Sequence, residues 1–313
     1  MAEIGPYLDL VPSLALCIML GANNLSTCLG TSMGARTLRY SHALGLASVG
    51  VLAGIVLEGK KLSGAITSGI VSQGNPEFAV NVVFSSFVIM GLLTYRKLPI
   101  SLSQVAVGAA VGSAIADGIA VNWTFTILVA SSWLLTPLLG FAVAIMLSFV
   151  TRKIAKRIKK VISLNILYAY VTVFSGIYAA YSLGANTVGL LVGMVETPES
   201  WSLGFPLAFG LATVLGMLAF SRGTTRSVAE NIVGLSPSAS FAAQMGGAVT
   251  LHGFTQLGIP VSVSQAVVGG IFGAAIPRRI VVRNDRLTRE ILLGWTAAPL
   301  LGAGLAFLVA SAM

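Results

Sequence analysis

Charged residues are scarce in this chain. They make up 9% of its 313 residues, whereas hydrophobic residues make up 56% and the mean hydropathy is +0.90. Soluble domains carry about 25% charged residues, because their surfaces face water. So few charges cannot cover a water-soluble surface, and the sequence therefore predicts a protein that lies in a lipid bilayer.

The residues on which most catalytic and metal sites depend are also few. The chain has 10 Asp and Glu residues, 2 His and 2 Cys. No paired carboxylates, metal-ligand cluster or Ser-His-Asp arrangement recurs at matched positions, and no Gly-x-x-x-x-Gly-Lys-[Ser/Thr] signature of ATP-driven proteins occurs. We therefore expect no enzyme, no metal and no cofactor. Cys17 and Cys28 are expected to pack as small apolar residues.

The 19 Lys and Arg residues fall in a few clusters. Uncharged runs such as Thr124 to Val150 separate them, and a spanning helix needs roughly 20 apolar residues. The pattern predicts an all-α, multi-pass protein of the plasma membrane with about ten transmembrane helices plus shorter re-entrant half-helices. The net charge of +9 then reflects cytoplasmic loops in contact with lipid headgroups rather than a nucleic-acid-binding surface.

The chain contains an internal duplication. Three strings return in the same order about 160 residues later, which is the mark of a repeat architecture. The matched pairs are Gly21-Ala22-Asn23-Asn24 with Gly184-Ala185-Asn186-Thr187, Leu98-Pro99-Ile100-Ser101-Leu102-Ser103-Gln104 with Ile259-Pro260-Val261-Ser262-Val263-Ser264-Gln265, and Trp133 to Gly140 with Trp295 to Gly302. We assign residues 1–150 to a first repeat, 151–160 to a basic cytoplasmic linker and 161–313 to a second repeat.

The basic residues indicate that the two repeats are inverted relative to each other. The first repeat has Arg96 and Lys97 just before its Pro-x-Ser string, whereas the second repeat has its basic residues after that string, at Arg278 to Arg289. Because basic loops stay on the cytoplasmic side, the two repeats are expected to cross the membrane in opposite directions. Lys60 and Arg222, which are basic at similar places in both repeats, do not follow this pattern.

Both recurring motifs are expected to interrupt transmembrane helices. Irregular backbone at membrane depth is tolerated only where it is buried or lines a cavity, and we expect such breaks at the Gly-Ala-Asn strings and the Pro-x-Ser strings. Pro99 and Pro260 can precede a helix, and Ser101 and Ser262 are suitable N-caps. The short apolar segments that follow are predicted to be half-helices that begin near the midplane.

Two half-helix N-termini that converge at mid-membrane make an anion site. Each offers free backbone N–H groups and a partial positive charge, and the nearby side chains add neutral hydroxyl and amide donors. The candidate substrate-binding residues are Asn23, Asn24, Ser101, Ser103, Gln104, Asn186, Thr187, Ser262, Ser264 and Gln265. Interhelical packing is the alternative role for each of them.

These motifs resemble the inorganic phosphate transporter (PiT) family, whose two repeats open with Gly-Ala-Asn-Asp and contain a Pro-Val-Ser-Thr-Thr-His-like string. The resemblance implies a secondary carrier for a tetrahedral oxyanion, coupled to sodium or protons and often homodimeric. The family's Asp is replaced by Asn24 and Thr187, and its His by Gln104 and Gln265, as in the sulfate-permease-like branch of the family.

The lost carboxylates bear on both the substrate and the coupling ion. Phosphate carries a proton that a carboxylate can accept, whereas sulfate needs donors only. The sequence therefore favours sulfate with H⁺ coupling, and phosphate coupled to Na⁺ or H⁺ is the alternative. An anion channel is a further alternative, since channels can use similar half-helices.

Ionisable residues inside a membrane are candidates for the coupling site. Glu58, Asp117 and Glu230 are such candidates, although a local ion pair or a loop position is the simpler role for each. His252 is expected to be a core residue.

Overall fold

The structure is a computed structural model that describes residues 10–35, 37–71, 76–95, 100–195, 201–231, 235–278 and 285–313. Within these ranges the chain forms eleven α-helices and no extended sheet. They are α1 (Leu10–Gly34), α2 (Tyr40–Glu58), α3 (Pro76–Tyr95), α4 (Leu102–Ala116), α5 (Trp123–Ala155), α6 (Val161–Leu183), α7 (Gly189–Met194), α8 (Gly204–Asn231), α9 (Pro237–Gln256), α10 (Val263–Ala275) and α11 (Asp285–Ala312).

Two π-helical segments extend these helices. Ala65–Ile70 follows α2 after a 3₁₀ turn at Gly59–Leu62, and Gly184–Val188 joins α6 to α7. In the described part of the chain, seven helical segments are long and apolar enough to cross a membrane. The chain is therefore a multi-pass membrane protein, while the expected total of about ten spans remains a prediction.

The short helices α4 and α10 occupy the centre of the molecule. Nearly all of their residues are buried. The long helix α5 lies outside them and presents large apolar side chains outward, with Leu134 74% exposed and Leu138 62% exposed. In a lipid solvent such exposure is favourable, so α5 forms part of the lipid-facing wall.

The first helix of each half of the chain packs closely on the second helix of the other half. A Cβ atom at Gly21 of α1 would lie 1.9 Å from the Thr213 carbonyl oxygen of α8, and one at Gly216 of α8 would lie 1.8 Å from the Ile18 oxygen. Only glycine permits this backbone approach, as is common between membrane helices.

The equivalent contact in the other direction joins α6 and its π-segment to α2. A Cβ atom at Gly184 would lie 2.2 Å from the Val51 oxygen, and one at Gly54 would lie 2.0 Å from the Tyr181 oxygen. These residues match the four residues of the α1–α8 contact at the spacing of the duplicated strings, about 160 residues. The two helix pairs are therefore built alike.

The short helices α4 and α10 also pack against the opposite half of the chain. A Cβ atom at Gly108 of α4 would lie 2.1 Å from the Pro299 oxygen of α11, and one at Gly269 of α10 would lie 2.1 Å from the Pro137 oxygen of α5. Each proline lies inside a long helix. Each half-helix is thus held against the last long helix of the other half.

The expected break at the first Gly-Ala-Asn string is wrong. α1 continues as an α-helix through Gly21 and Asn24, because the close contact with α8 explains the glycine and the Asn24 amide is satisfied by the Leu20 carbonyl at 3.0 Å. The second string does depart from the α-helix, as the π-helix Gly184–Val188. π-bulges often occur at functional sites.

Candidate functional site

Serine side chains cap both half-helices. Ser101 Oγ accepts a hydrogen bond from the Gln104 backbone N–H at 3.4 Å, and Ser262 Oγ accepts one from the Gln265 N–H at 3.3 Å. Both serines have extended backbone angles and are almost fully buried. The predicted N-caps are therefore confirmed at both positions.

The two capped ends border one small cavity in the interior. Six of the ten candidate residues line it together with four apolar residues. The lining consists of Leu20, Asn24, Ile100, Ser101, Leu102, Ser103, Thr187, Ser262, Val263 and Ser264. The motifs thus converge although they lie far apart in sequence.

The polar lining of the cavity is uncharged and rich in donors. The first N–H groups of a helix have no partner inside the helix, and the helix dipole places a partial positive charge there. α4 and α10 direct these ends to the same cavity, at Leu102 and Ser103 in one and at Val263 and Ser264 in the other. The cavity therefore combines two weakly positive ends without a fixed cation.

Hydroxyl groups connect the two half-helix starts. The Ser103 hydroxyl donates to the Val261 carbonyl oxygen at 3.0 Å and lies 3.0 Å from Ser101 Oγ. In the other half, Ser262 Oγ and Ser264 Oγ lie 2.9 Å apart. A hydroxyl that bonds only another hydroxyl or a carbonyl can exchange that bond for one to an anion.

The other four candidates lie just behind the cavity wall. Asn23, Gln104, Asn186 and Gln265 are buried but are not among the lining residues. Asn186 Nδ2 donates to Thr255 Oγ1 at 3.0 Å, and its Oδ1 accepts from the Val261 N–H at 3.4 Å. Asn186 therefore supports the segment that leads into the second cap.

Three side-chain oxygens at the site have no hydrogen-bond partner within the described residues. They are Gln104 Oε1, Gln265 Oε1 and Thr187 Oγ1. Buried polar atoms are nearly always bonded, so such atoms suggest a missing partner. Thr187 lines the cavity, whereas the two glutamines lie outside its lining.

Two of the coupling candidates, Asp117 and Glu58, are not among the residues that line the cavity. Asp117 caps the far end of α4, is exposed, and accepts from Ser113 Oγ at 3.2 Å. Glu230 falls in α8, but its side chain lies outside the described part.

Glu58 forms the expected ion pair with Lys61 at 3.5 Å. It also lies 3.3 Å from His252, so the expectation that His252 is only a core residue is wrong.

Sequence reasoning missed several residues of the site. Leu20 lines the cavity, and Thr255 holds Asn186 from α9. Both adjoin a recurring string, since Leu20 and Leu183 each precede Gly-Ala-Asn, and Thr94 and Thr255 each lie five residues before the proline of the Pro-x-Ser string. The apolar residues Leu102 and Val263, by contrast, lie inside the Pro-x-Ser strings, and their place at the helix start puts their N–H groups at the cavity.

Comparison with known proteins now bears on this geometry. A model described as the phosphate transporter family matches residues 20–306. The chain belongs to the phosphate transporter family.

Two relatives span nearly all of the chain. "Putative phosphate permease MJ0630" of Methanocaldococcus jannaschii is 28% identical over 98% of this chain and 97% of its own length. Sulfate permease CysP of Bacillus subtilis is 26% identical over 96% of this chain and 85% of its own. Relatives in this family are thus named for two different oxyanions.

A solved structure has the same fold. It is that of a sodium-dependent phosphate transporter, with a TM-score of 0.87 over 98% of both chains and 19% sequence identity. Membership of the family identifies this chain as a membrane transporter.

Proposed function

We propose that this transporter family member is a secondary carrier of a tetrahedral inorganic oxyanion, which binds between Ser101 and Ser262. One observation carries the proposal. The two helix starts at which a serine side chain caps the helix and a second serine follows two residues later, at Ser101 and Ser262, line one buried cavity. The ten candidate residues, six at the wall and four behind it, are the proposed binding site.

The two halves are proposed to be inverted repeats. Equivalent residues contact each other in both directions across the halves, as in the Gly21–Thr213 and Gly184–Val51 pairs. Reciprocal contacts of this kind are the signature of a twofold axis. An axis in the membrane plane would bring the two half-helix N-termini together at the midplane, as in repeat-built carriers.

Phosphate is the substrate that the comparisons favour, although the sequence alone favoured sulfate. The family is described by phosphate, and so is the M. jannaschii relative. The unpartnered Thr187 Oγ1, which belongs to a cavity-lining residue, supports the same choice. It can accept the hydrogen bond that the P–OH group of phosphate donates and that sulfate lacks.

Sulfate is the second candidate, and one observation favours it. The cavity wall contains no carboxylate, because Asn24 and Thr187 stand where the family has Asp. A fully deprotonated anion fits a wall of neutral donors, and the B. subtilis relative is named for sulfate. We therefore expect sulfate and phosphate to compete strongly for the site.

Transport in liposomes tests the proposal. We expect purified protein to take up labelled phosphate along an imposed inward proton gradient, with no requirement for sodium and with inhibition by excess sulfate. Countercurrent exchange of labelled for unlabelled anion should also occur, which a channel does not show. Absence of both uptake and exchange of either anion would overturn the proposed function. Protein-free liposomes are the control.

Restoring the carboxylates should restore sodium dependence. Sodium prefers charged oxygen ligands, and the wall of this cavity offers only neutral ones. We expect Asn24→Asp with Thr187→Asp to add sodium stimulation of uptake, measured with and without sodium at constant pH. Asn122→Asp is the control, because Asn122 is an exposed N-cap that aspartate also fills. Equal uptake with and without sodium would refute this view of the two positions.

The plasma-membrane location and the homodimer are proposed on the family resemblance. Gel filtration with light scattering measures the oligomeric state directly.

A further inference from the structure

An ionisable pair joins the two halves near the end of α9. His252 Nε2 lies 3.3 Å from Glu58 Oε2, and both side chains are 21% exposed. Lys61 Nζ lies 3.5 Å from the other oxygen of Glu58. The Gln256 amide lies among them, since its Nε2 donates to Glu58 Oε2 at 2.9 Å and its Oε1 accepts from Lys61. The pair is therefore partly buried, yet close to the exterior.

The Gln256 amide fixes the protonation of His252. Lys61 can only donate, so Gln256 must turn Oε1 to Lys61 and Nε2 to the other side. That Nε2 lies 2.6 Å from His252 Nε2. Two N–H groups cannot face each other at this distance, so His252 Nε2 is an unprotonated acceptor in this arrangement.

Aromatic rings cover the imidazole. The ring centroids of Tyr178 and Tyr181 lie 5.5 and 5.8 Å from that of His252. Tyr181 also interacts with the Glu58 carboxylate. The aromatic faces and the carboxylate are partners that a cationic ring can contact, and the Lys61 ammonium is a like charge on the same carboxylate. Among the described residues, these are the titratable groups that α2, its 3₁₀ turn and α6 bring to His252.

Hydrogen bonds link this pair to the cavity. Thr255, next to Gln256 at the end of α9, accepts from Asn186 at 3.0 Å. Asn186 in turn accepts from the Val261 N–H at 3.4 Å, and the Val261 carbonyl accepts from Ser103 at 3.0 Å. Val261 directly precedes the cap of α10. A movement of the end of α9 therefore reaches both half-helix starts.

We propose that His252, paired with Glu58, binds the coupling proton of this carrier. A proton from water adds to His252 Nε2, forms a charge-assisted hydrogen bond to Glu58 Oε2 and displaces the Gln256 amide. The end of α9 shifts, and Thr255 and Asn186 pass the shift to Val261. The same proton returns to water when the carrier opens to the other side. This inference rests on the proposed transport function.

Uncoupling measurements test this assignment. In liposomes, His252→Gln and Glu58→Gln should reduce proton-driven phosphate accumulation at least about tenfold more than they reduce phosphate–phosphate exchange. His42→Gln, at the chain's other histidine, should reduce neither. An unchanged ratio of accumulation to exchange in His252→Gln would show that the cluster is only an anchor between α2 and α9. A wild-type protein without any exchange would instead defeat the proposed function itself.

Direct titration covers the case in which His252→Gln fails to fold. The His42→Gln variant contains a single histidine, so the ¹⁵N signals of labelled histidine report His252 alone. We expect Nε2 to gain a proton as the pH is lowered, and Glu58→Gln should move the midpoint of this titration. Added phosphate should also move the midpoint, because binding of anion and proton is reciprocal. A midpoint that phosphate does not move would refute the assignment.

Discussion

Replacing Ser103 and Ser264 together with alanine is expected to weaken phosphate binding about 100-fold or more. Each hydroxyl lines the cavity at the second position of a half-helix. A hydrogen bond to a charged group contributes about 1.5–3 kcal/mol, so two lost bonds remove about 3–6 kcal/mol, and each 1.4 kcal/mol is about tenfold in affinity. Isothermal titration calorimetry in detergent measures the loss.

The control must remove a buried hydroxyl that serves only its own helix. Ser132 is 1% exposed and donates to the Val129 carbonyl within α5 at 2.6 Å. Ser132→Ala should leave affinity within about twofold, since it touches nothing at the cavity. The double variant Ser103→Thr, Ser264→Thr keeps both hydroxyls and should recover most of the phosphate affinity. If the double alanine variant binds phosphate as wild type does, the anion lies elsewhere.

The cavity-forming ends of α4 and α10 were predictable because their signals are local. A proline followed two residues later by serine specifies a helix start with its cap, and both caps form at Ser101 and Ser262 as expected. The duplication then supplied the second copy of each signal. Neither string alone predicts that the two helix starts meet. That prediction came from the expected inversion of the two repeats.

The role of the Gly-Ala-Asn strings was not predictable from local sequence. Gly21 weakens a helix in isolation, but in α1 its function is to admit the α8 backbone at Thr213. That partner lies in the other half of the chain and leaves no trace near Gly21. Tertiary contact therefore decided between a break and a continuous helix.

The Glu58–His252 pair was not predictable from local sequence either, because its two members are far apart in the chain. Beside Glu58, the sequence shows Lys61, which does pair with it. His252 stands alone among apolar residues, and its neighbour Gln256 meets Glu58 across 198 positions. Neither residue belongs to a repeated motif, so the duplication gave no indication of the contact.

The substitutions Gly216→Ala and Gly223→Ala should have opposite effects on stability, although both glycines lie on α8. A Cβ atom at Gly216 would lie 1.8 Å from the Ile18 carbonyl oxygen, whereas at Gly223 no described atom lies within 4 Å. The backbone of α1 cannot yield as a flexible side chain would, so Gly216→Ala must separate the two helices. We expect destabilisation of about 3 kcal/mol or more, at the upper end of overpacking effects. Gly223→Ala should stabilise by about 0.5–1 kcal/mol, because alanine is the better helix former.

The reciprocal contact provides an internal check on the twofold arrangement. A Cβ atom at Gly54 of α2 would lie 2.0 Å from the Tyr181 oxygen, whereas one at Gly45 on the same helix would have no described atom within 4 Å. Gly54→Ala should therefore destabilise the protein as much as Gly216→Ala, and Gly45→Ala should not destabilise it.

The measurement is the temperature at which half of the detergent-solubilised protein leaves the monodisperse gel-filtration peak. Equal behaviour of Gly216→Ala and Gly223→Ala would contradict the close α1–α8 contact. A large loss at Gly216 with none at Gly54 would contradict the equivalence of the two contacts, because an added Cβ atom would lie 1.8 Å from a backbone carbonyl oxygen at Gly216 and 2.0 Å from one at Gly54.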